Sequence, residues 1–329
     1  IVLSGIKPTG IPTLGNYLGA LKNFVRLQNS MTDYEFFVFV ADLHAITTPQ
    51  DPKTLRQNIK NVAALYLACG LNPERLVLFI QSEVNAHIKL GYAMQSICYM
   101  GELERMTQYK DKAAKQTQGI TSALFTYPAL MAADILLYDA KYVPVGDDQK
   151  QHLELTRDLA IRFNNRYGET FVIPEPLIPK KGARIMDLQD PSKKMDKSSD
   201  NEKGCIFLLE PINSIKKKIK SAVTDLETCV RYDKEKKPGI SNLMTIYSTI
   251  TELSFAEIEA KYVGKGYGDF KKDLAEIVAC EVGKVQENFN RIINSQELES
   301  ILNQGKERAN LIANRKIDKI FKKRNKKLF

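Results

Sequence analysis

The apolar residues of the first eighty positions follow two rhythms. Phe36–Ala41 and Leu76–Ile80 are short unbroken runs, with the length and all-round hydrophobicity of strands buried on both faces. Between them Leu55, Ile59, Val62 and Tyr66 recur at helical spacing. Asp51-Pro52 supplies that helix with an N-cap and a first position, and Gly70 lies just past its end. Ile1–Leu3 opens as a further short strand. A Gly/Pro turn runs from Gly5 to Gly10, and Leu18, Leu21, Phe24 or Val25, and Gln28 mark the helix after it. This alternation predicts parallel βαβ units in a doubly wound sheet, in which ligands bind beyond the carboxyl ends of the strands. From about 86 to 140 the spacing is helical with a break at Gly119, and Tyr142–Val145 reads as one more strand. Pro174, Pro176, Pro179 and Gly182 read as a boundary. Beyond about 205 the chain is mostly helical and ends in a basic stretch, Arg315, Lys316, Lys319, Lys322, Lys323, Arg324, Lys326 and Lys327.

The length of 329 residues and 43% hydrophobic content suffice for one large or two ordinary cores. No run approaches the roughly 18 apolar residues of a membrane span. The opening Ile1–Gly5 has neither a basic segment nor a long apolar one, so a signal peptide is not expected and a cytoplasmic location is. The cysteines, Cys69, Cys98, Cys205, Cys229 and Cys280, are odd in number and scattered. They read as buried free thiols of a reducing compartment. His44, His87 and His152 show no metal-ligand spacing. A net charge of +9 fits a polyanionic partner such as nucleic acid, or equally a lysine-biased composition.

Three segments carry candidate chemistry. Thr13-Leu-Gly-Asn16 stands at a helix start after the first strand and turn. Backbone N–H groups there attract phosphate, Gly15 allows a ligand close to the backbone, and Thr13 and Asn16 project from one side; a plain capped helix is the competing reading. Lys194-Met-Asp-Lys-Ser198 places two lysines three apart in a polar stretch. They suit pyrophosphate oxygens on which charge grows during attack at an α-phosphate, or a solvated charged loop. Gly146-Asp-Asp-Gln149 follows the fourth strand. It suits ribose hydroxyls or an ammonium group, or the N-cap of the next helix.

In this order and on this background the segments resemble the class I aminoacyl-tRNA synthetases. Thr13–Asn16 looks like their HIGH element and Lys194–Ser198 like their KMSKS element. The likeness is greatest to the bacterial tryptophanyl branch. It extends through Ser4–Gly10, Gly101–Thr107, Tyr127–Leu136, Val143–His152, Gly182–Met186 and Ser221–Asp225. The resemblance implies an α/β fold: a Rossmann-like doubly wound parallel sheet in a catalytic domain at 1–186 with a helical insertion at about 86–140. A mobile loop at 187–204 and an all-helical, tRNA anticodon-binding domain at 205–329 follow. It implies activation of L-tryptophan by ATP and transfer to tRNA(Trp) by a homodimer. Magnesium would arrive with the ATP, without a protein metal site of its own.

By the same resemblance Thr13, Asn16, Lys194 and Lys197 are catalytic. ATP falls to Lys7, Pro8, Thr9, Gly15, Asn16, Gly146, Asp147, Asp148, Ile185 and the loop Lys194, Met195, Asp196, Lys197 and Ser198. Asp134 accepts the indole N–H. Met131, Ile135, Val143 and Val145 line the indole, Tyr127 and Gln149 hold the ammonium group, and His44 and Gly5 lie alongside. A buried acceptor built for an N–H rejects phenylalanine by about 10⁴ or more. The run Met131-Ala-Ala-Asp-Ile-Leu136 is apolar enough to make Asp134 a buried carboxylate. Two positions depart from the pattern: Lys7 where relatives commonly carry Gln, and Asp196 in place of the first Ser of KMSKS, which puts a side-chain bond from position 196 to ATP in doubt. Rival readings are a tyrosyl-tRNA synthetase, against which the Ala132–Ile135 context speaks, and a small nucleotidyltransferase, which needs no basic helical third. An inactive RNA-binding relative is a third, and the retained lysines, Asn16 and Asp134 argue against it.

Overall fold

The computed structural model describes residues 1–114, 116, 119–146, 149–177, 184–197 and 201–325, and side chains as far as 322. Five strands form one parallel sheet in the order β3-β2-β1-β4-β5. They are β1 (Val2–Ile6), β2 (Phe36–Val40), β3 (Leu76–Ile80), β4 (Tyr142–Pro144) and β5 (Glu175–Leu177). The register Val2↔Phe36↔Leu76 brings the carboxyl ends of β1, β2 and β3 level at Ile6, Val40 and Ile80. β5 lies where a boundary was expected. Pro176 sits inside it, and an exposed edge strand tolerates a proline because its outer N–H has no ladder partner to lose. The expected strand Ile1–Leu3 is longer, because Ser4, Gly5 and Ile6 pair with Val38, Phe39 and Val40.

Helices cover both faces. After β1 come α1 (Leu14–Asn16), a π-helical turn (Tyr17–Leu21) and α2 (Lys22–Ser30). α3 (Asp42–Ala45) follows β2, and α4 (Pro52–Ala68) is capped by Asp51 and ended beyond Cys69 by Gly70 at φ +104°. The segment after β3 holds α5 (Ala86–Gln95), α6 (Met100–Glu104), α7 (Thr107–Ala113) and α8 (Ser122–Leu136). Gly119, at φ +104°, makes the expected break between the last two. α9 (Lys150–Tyr167) joins β4 to β5. Alternate residues of β2 feed opposite cores. Phe36, Val38 and Val40 pack with the α4 side, Phe37 and Phe39 with the α5–α8–α9 side, as strands buried on both faces must.

The last part holds α10 (Ile212–Lys220), α11 (Pro238–Thr251), α12 (Phe255–Lys261), α13 (Tyr267–Ile292) and α14 (Gln296–Asn325). α10 and α13 pack together and α13 also packs on α4, whereas α14 returns to the sheet and covers the β3 edge, where unpaired strand groups would otherwise lie open. Gly305 makes that approach possible: a Cβ there would lie 1.8 Å from the Leu78 carbonyl oxygen. Lys316, one of the basic residues near the end of the chain, is buried. It bonds the Asp139 carboxylate and the Thr170 carbonyl oxygen (2.8 Å), so it faces no nucleic acid. All five cysteines are free thiols, but burial was wrongly expected for most of them: Cys205 is buried, whereas Cys229 and Cys280 are exposed.

In an ordinary helix Gly→Ala stabilises by about 1 kcal/mol. At Gly305 the sign reverses, and Gly305→Ala is expected to lose about 1–3 kcal/mol through overpacking. Urea unfolding of the two proteins measures the difference.

Candidate active site

The carboxyl ends of the strands deliver one group of side chains to a common place. β1 runs into Gly5, Ile6 and Lys7, β2 into α3 with His44, β3 into Gln81, and β4 into Val145. α8 crosses opposite them. Its residues Tyr127, Met131, Asp134 and Ile135 follow helical i, i+4, i+7, i+8 spacing and therefore share one face. Together they enclose a cavity of about 310 Å³. Gly5, Lys7, His44, Tyr127, Met131, Asp134, Ile135, Val143, Val145 and Gln149 line it, so all nine residues expected around the amino acid are brought together. Phe39, Ala41 and Lys112 are also part of the wall, with residues of β1 and β4.

Asp134 is 1% exposed. An ionised carboxylate so deeply buried is tolerated when donors surround it. Oδ1 accepts from Gln81 Nε2 at 2.8 Å and lies 2.6 Å from His87 Nδ1; Oδ2 lies 2.7 Å from His44 Nε2. Burial alone would raise its pKa. The charge and hydrogen bond of His44, then the hydrogen bond of His87, outweigh burial and hold it below the ordinary carboxylate value. A carboxylate has about four acceptor sites, so these donors leave room for one more, on the Oδ2 side that it shares with the cavity-lining His44.

At the other end of α8, the Tyr127 hydroxyl lies 2.7 Å from His152 Nε2. With that nitrogen accepting, the phenol oxygen keeps its lone pairs for a cation in the cavity. Burial pushes the Tyr127 phenol up from its ordinary value, so it stays protonated. Lys112 Nζ lies 4.6 Å from the Tyr127 ring centre. The Lys7 ammonium is pushed down to about 8, first by burial and then by the charge of Lys112.

The second group surrounds the start of α1. Thr13 and Asn16 form a reciprocal cap: Asn16 N–H donates to Thr13 Oγ1 (3.1 Å) and Thr13 N–H to Asn16 Oδ1 (3.0 Å). Thr13 is fully buried, so its hydroxyl serves the cap, and Asn16, half-buried, is the more accessible of the two. The loop with Lys194 returns here. Met195 N–H donates to the Ile185 carbonyl (3.0 Å) and Lys197 Nζ reaches the Gly10 carbonyl (3.1 Å). A Cβ on Gly15 would lie 3.5 Å from Met195 Cβ and 3.6 Å from Ile185 Cβ, so the helix start faces this loop. Burial also lowers the pKa of Lys197. Asn242 of α11 clamps the backbone of Met186 from both sides, accepting from its N–H (2.8 Å) and donating to its oxygen (2.9 Å). Lys194 and Asp196 are exposed, as are Thr9 and Gly146, while Pro8 is buried. Asp147, Asp148 and Ser198 lie outside the described residues, as does Gly182.

Three contributors escaped the sequence reading. Gln81 directly follows the Leu76–Ile80 strand, a place where ligand-holding groups collect in such sheets, so its position was a usable signal. His87 had no signal beyond being one of three histidines. Lys112 belongs to a basic stretch of α7 and had none. Among the described residues no group of three or more His, Cys, Asp or Glu is arranged to hold a metal ion.

Residues 1–282 match the family model described as tRNA synthetases class I (W and Y). A tryptophan–tRNA ligase of Bacillus anthracis is 57% identical over 97% of this chain and 96% of its own length. The crystal structure of tryptophanyl-tRNA synthetase from Mycoplasma pneumoniae superposes with a TM-score of 0.89 at 39% identity, covering 98% of this chain and 97% of the other. That of the Campylobacter jejuni enzyme, complexed with ADP and tryptophan, superposes with a TM-score of 0.84 at 36% identity, covering 98% and 99%. With a parallel sheet, a cavity at its strand ends and a lysine loop facing a capped helix start already in place, this chain belongs to the class I tRNA synthetases of the tryptophan and tyrosine group.

Proposed function

We propose that the chain activates L-tryptophan with ATP, forming tryptophanyl-adenylate and pyrophosphate, and then transfers tryptophan to the 3′ end of tRNA(Trp). One observation carries the choice of amino acid: a buried, ionised carboxylate at the wall of an apolar cavity with one acceptor site left. The indole N–H is a donor with no acceptor function, and leaving it unpaired in such a place costs about 1–3 kcal/mol. Met131, Ile135, Val143 and Val145 suit the flat apolar faces of the bicycle. Tyr127 and Gln149 receive the ammonium group.

The ionised carboxylate of tryptophan attacks the α-phosphorus, and the bond to the bridging oxygen breaks as pyrophosphate leaves. The amino acid is already deprotonated at neutral pH, so the site needs no general base. Positioning and charge neutralisation do the work. Lys194 and Lys197 meet the pyrophosphate, with magnesium carried on the phosphate oxygens. Asn16, Gly15 and the turn Lys7–Thr9 hold the nucleotide, and Ile185 faces the base. Lys7 and Lys112 add positive charge where the amino-acid carboxylate and the α-phosphate meet. Lysines exposed on the later helices, Lys217, Lys220, Lys319 and Lys322, supply affinity for tRNA phosphates and little specificity.

A homodimer is the favoured assembly, and the place of action is the cytoplasm. Ile88 and Tyr92, one helical turn apart on α5, are exposed, as are Tyr99 and Met100 at the start of α6. Large apolar side chains left exposed on neighbouring elements suit an interaction surface. No described helix is long and apolar enough to cross a membrane.

The direct test is exchange of labelled pyrophosphate into ATP with each amino acid in turn. Tryptophan is expected to drive exchange, and phenylalanine to fall short of it by about 10⁴-fold or more in kcat/KM. Tyrosine driving exchange at the tryptophan rate overturns the reading.

Lys7 gives a pH dependence. Its pKa is lowered, so it is charged below about 8 and neutral above. Asp134 titrates far below that window and Tyr127 far above it. Because kcat/KM reports the free enzyme, its value for tryptophan is expected to decline as pH rises through about 8. In Lys7→Gln it starts lower and that decline is absent; pH profiles of the two proteins decide.

A further inference from the structure

Behind the cavity wall a chain of polar groups runs inward from Asp134. His87 Nδ1 lies 2.6 Å from Asp134 Oδ1, and His87 Nε2 lies 2.8 Å from the Tyr138 hydroxyl. His87 is 0% and Tyr138 1% exposed, and neither lines the cavity. The imidazole is held among Phe39, Phe79 and Tyr138, with ring centres 5.9, 5.9 and 5.6 Å away.

The hydrogen-bond roles follow from the groups at the two ends. Asp134, ionised, only accepts, so Nδ1 must carry a proton to bond it. The Tyr138 phenol stays protonated, because burial and then the charge of Asp134 push its pKa well up. The hydroxyl lies against His87 Nε2 in the structure. A neutral ring with its proton on Nδ1 has Nε2 bare, so the hydroxyl is the donor there and its hydrogen bond holds the ring in that tautomer. Gln81 completes the arrangement. It is fully buried, and its Oε1 has no hydrogen-bond partner among the described residues. Turning the amide over would satisfy nothing and would set oxygen against carboxylate, so Nε2 is held on Oδ1. Both donors to Oδ1 therefore come from the protein, and the open acceptor position falls on Oδ2.

We propose that His87 and Tyr138 are positioning residues for amino-acid selection: Tyr138 locks the His87 tautomer, and His87 holds the Asp134 carboxylate with its open acceptor toward the indole N–H. This rests on tryptophan being the substrate. Without His87, Oδ1 loses a donor and the carboxylate can rotate, so the N–H contact weakens while the apolar walls stay. The contact exists before and during activation, so its loss raises KM for the amino acid more than it lowers kcat.

The test compares tryptophan with β-(benzothiophen-3-yl)alanine, in which sulfur replaces the indole N–H and the bicyclic shape is kept. Pyrophosphate exchange is measured with both in wild type, His87→Leu, His87→Asn and Tyr138→Phe. His87→Leu is expected to lower kcat/KM for tryptophan by about tenfold or more, mainly through KM, and to leave the analogue nearly unchanged. His87→Asn, which keeps an amide donor near the place of Nδ1, recovers part of the loss. Tyr138→Phe, which deletes one hydroxyl and spares the fold if His87→Leu does not, shifts the ratio of the two substrates in the same direction by a smaller factor. An equal fall for both substrates, or an unchanged ratio in Tyr138→Phe, overturns the proposal and leaves His87 a packing residue. Absence of tryptophan-dependent exchange in wild type would instead strike the proposed function itself.

Discussion

A negative charge buried in an apolar wall is the constraint on which the site depends. Asp134 cannot be left there alone, because an unpaired carboxylate in such surroundings would take up a proton or unfold its environment. The chain meets that demand from three separate elements. His44 arrives at the end of β2, Gln81 at the end of β3 and His87 at the start of α5. The even register of β1, β2 and β3 sets two of those donors side by side. The helical segment between β3 and β4 provides both the third donor and the carboxylate itself.

The nucleotide side is assembled differently. Its groups come from the first turn, from the start of α1 and from 185–197 with its two lysines, joined by single backbone and side-chain bonds such as Lys197 to Gly10 and Met195 to Ile185. Asn242 ties the root of that loop to α11, so the helical region has a mechanical connection to the groups proposed to handle the phosphates. Lys7 and Lys197 have lowered pKa values because burial penalises their charge. Phosphate and carboxylate oxygens would relieve that penalty, so the same groups that are strained alone are poised for an anionic substrate.

Much of this was legible in the sequence because the relevant signals are local. Continuous apolar runs gave β2 and β3, and Asp51-Pro52 and Gly70 marked the ends of α4. The apolar context of Asp134 foretold its burial. β5 was missed because Pro176, with prolines on either side of the strand, signals a break, and the physics of an edge strand excuses it. Gln81 stood at a telling place, directly after the β3 run, but its partner did not. The role of Gln81, and all of that of His87, exists only once β3 and α5 have folded against α8, and no spacing along the chain encodes that meeting. The same holds for Gly305, whose lack of a side chain makes sense only against Leu78 across the β3 edge. Thr13 shows the reverse case: the motif was visible, yet the buried hydroxyl is spent on the cap with Asn16.

The chain contains no tryptophan of its own, so an indole signal in a spectrum of the complex belongs to the substrate. The most direct test of the central claim is a proton–nitrogen correlation spectrum of tryptophan labelled with ¹⁵N in the indole ring and bound to the protein. A charge-assisted bond to Asp134 predicts an indole proton shifted well downfield of the free amino acid, with the shift lost in Asp134→Asn. An indole proton at its free-solution position, or one indifferent to that substitution, would contradict the account.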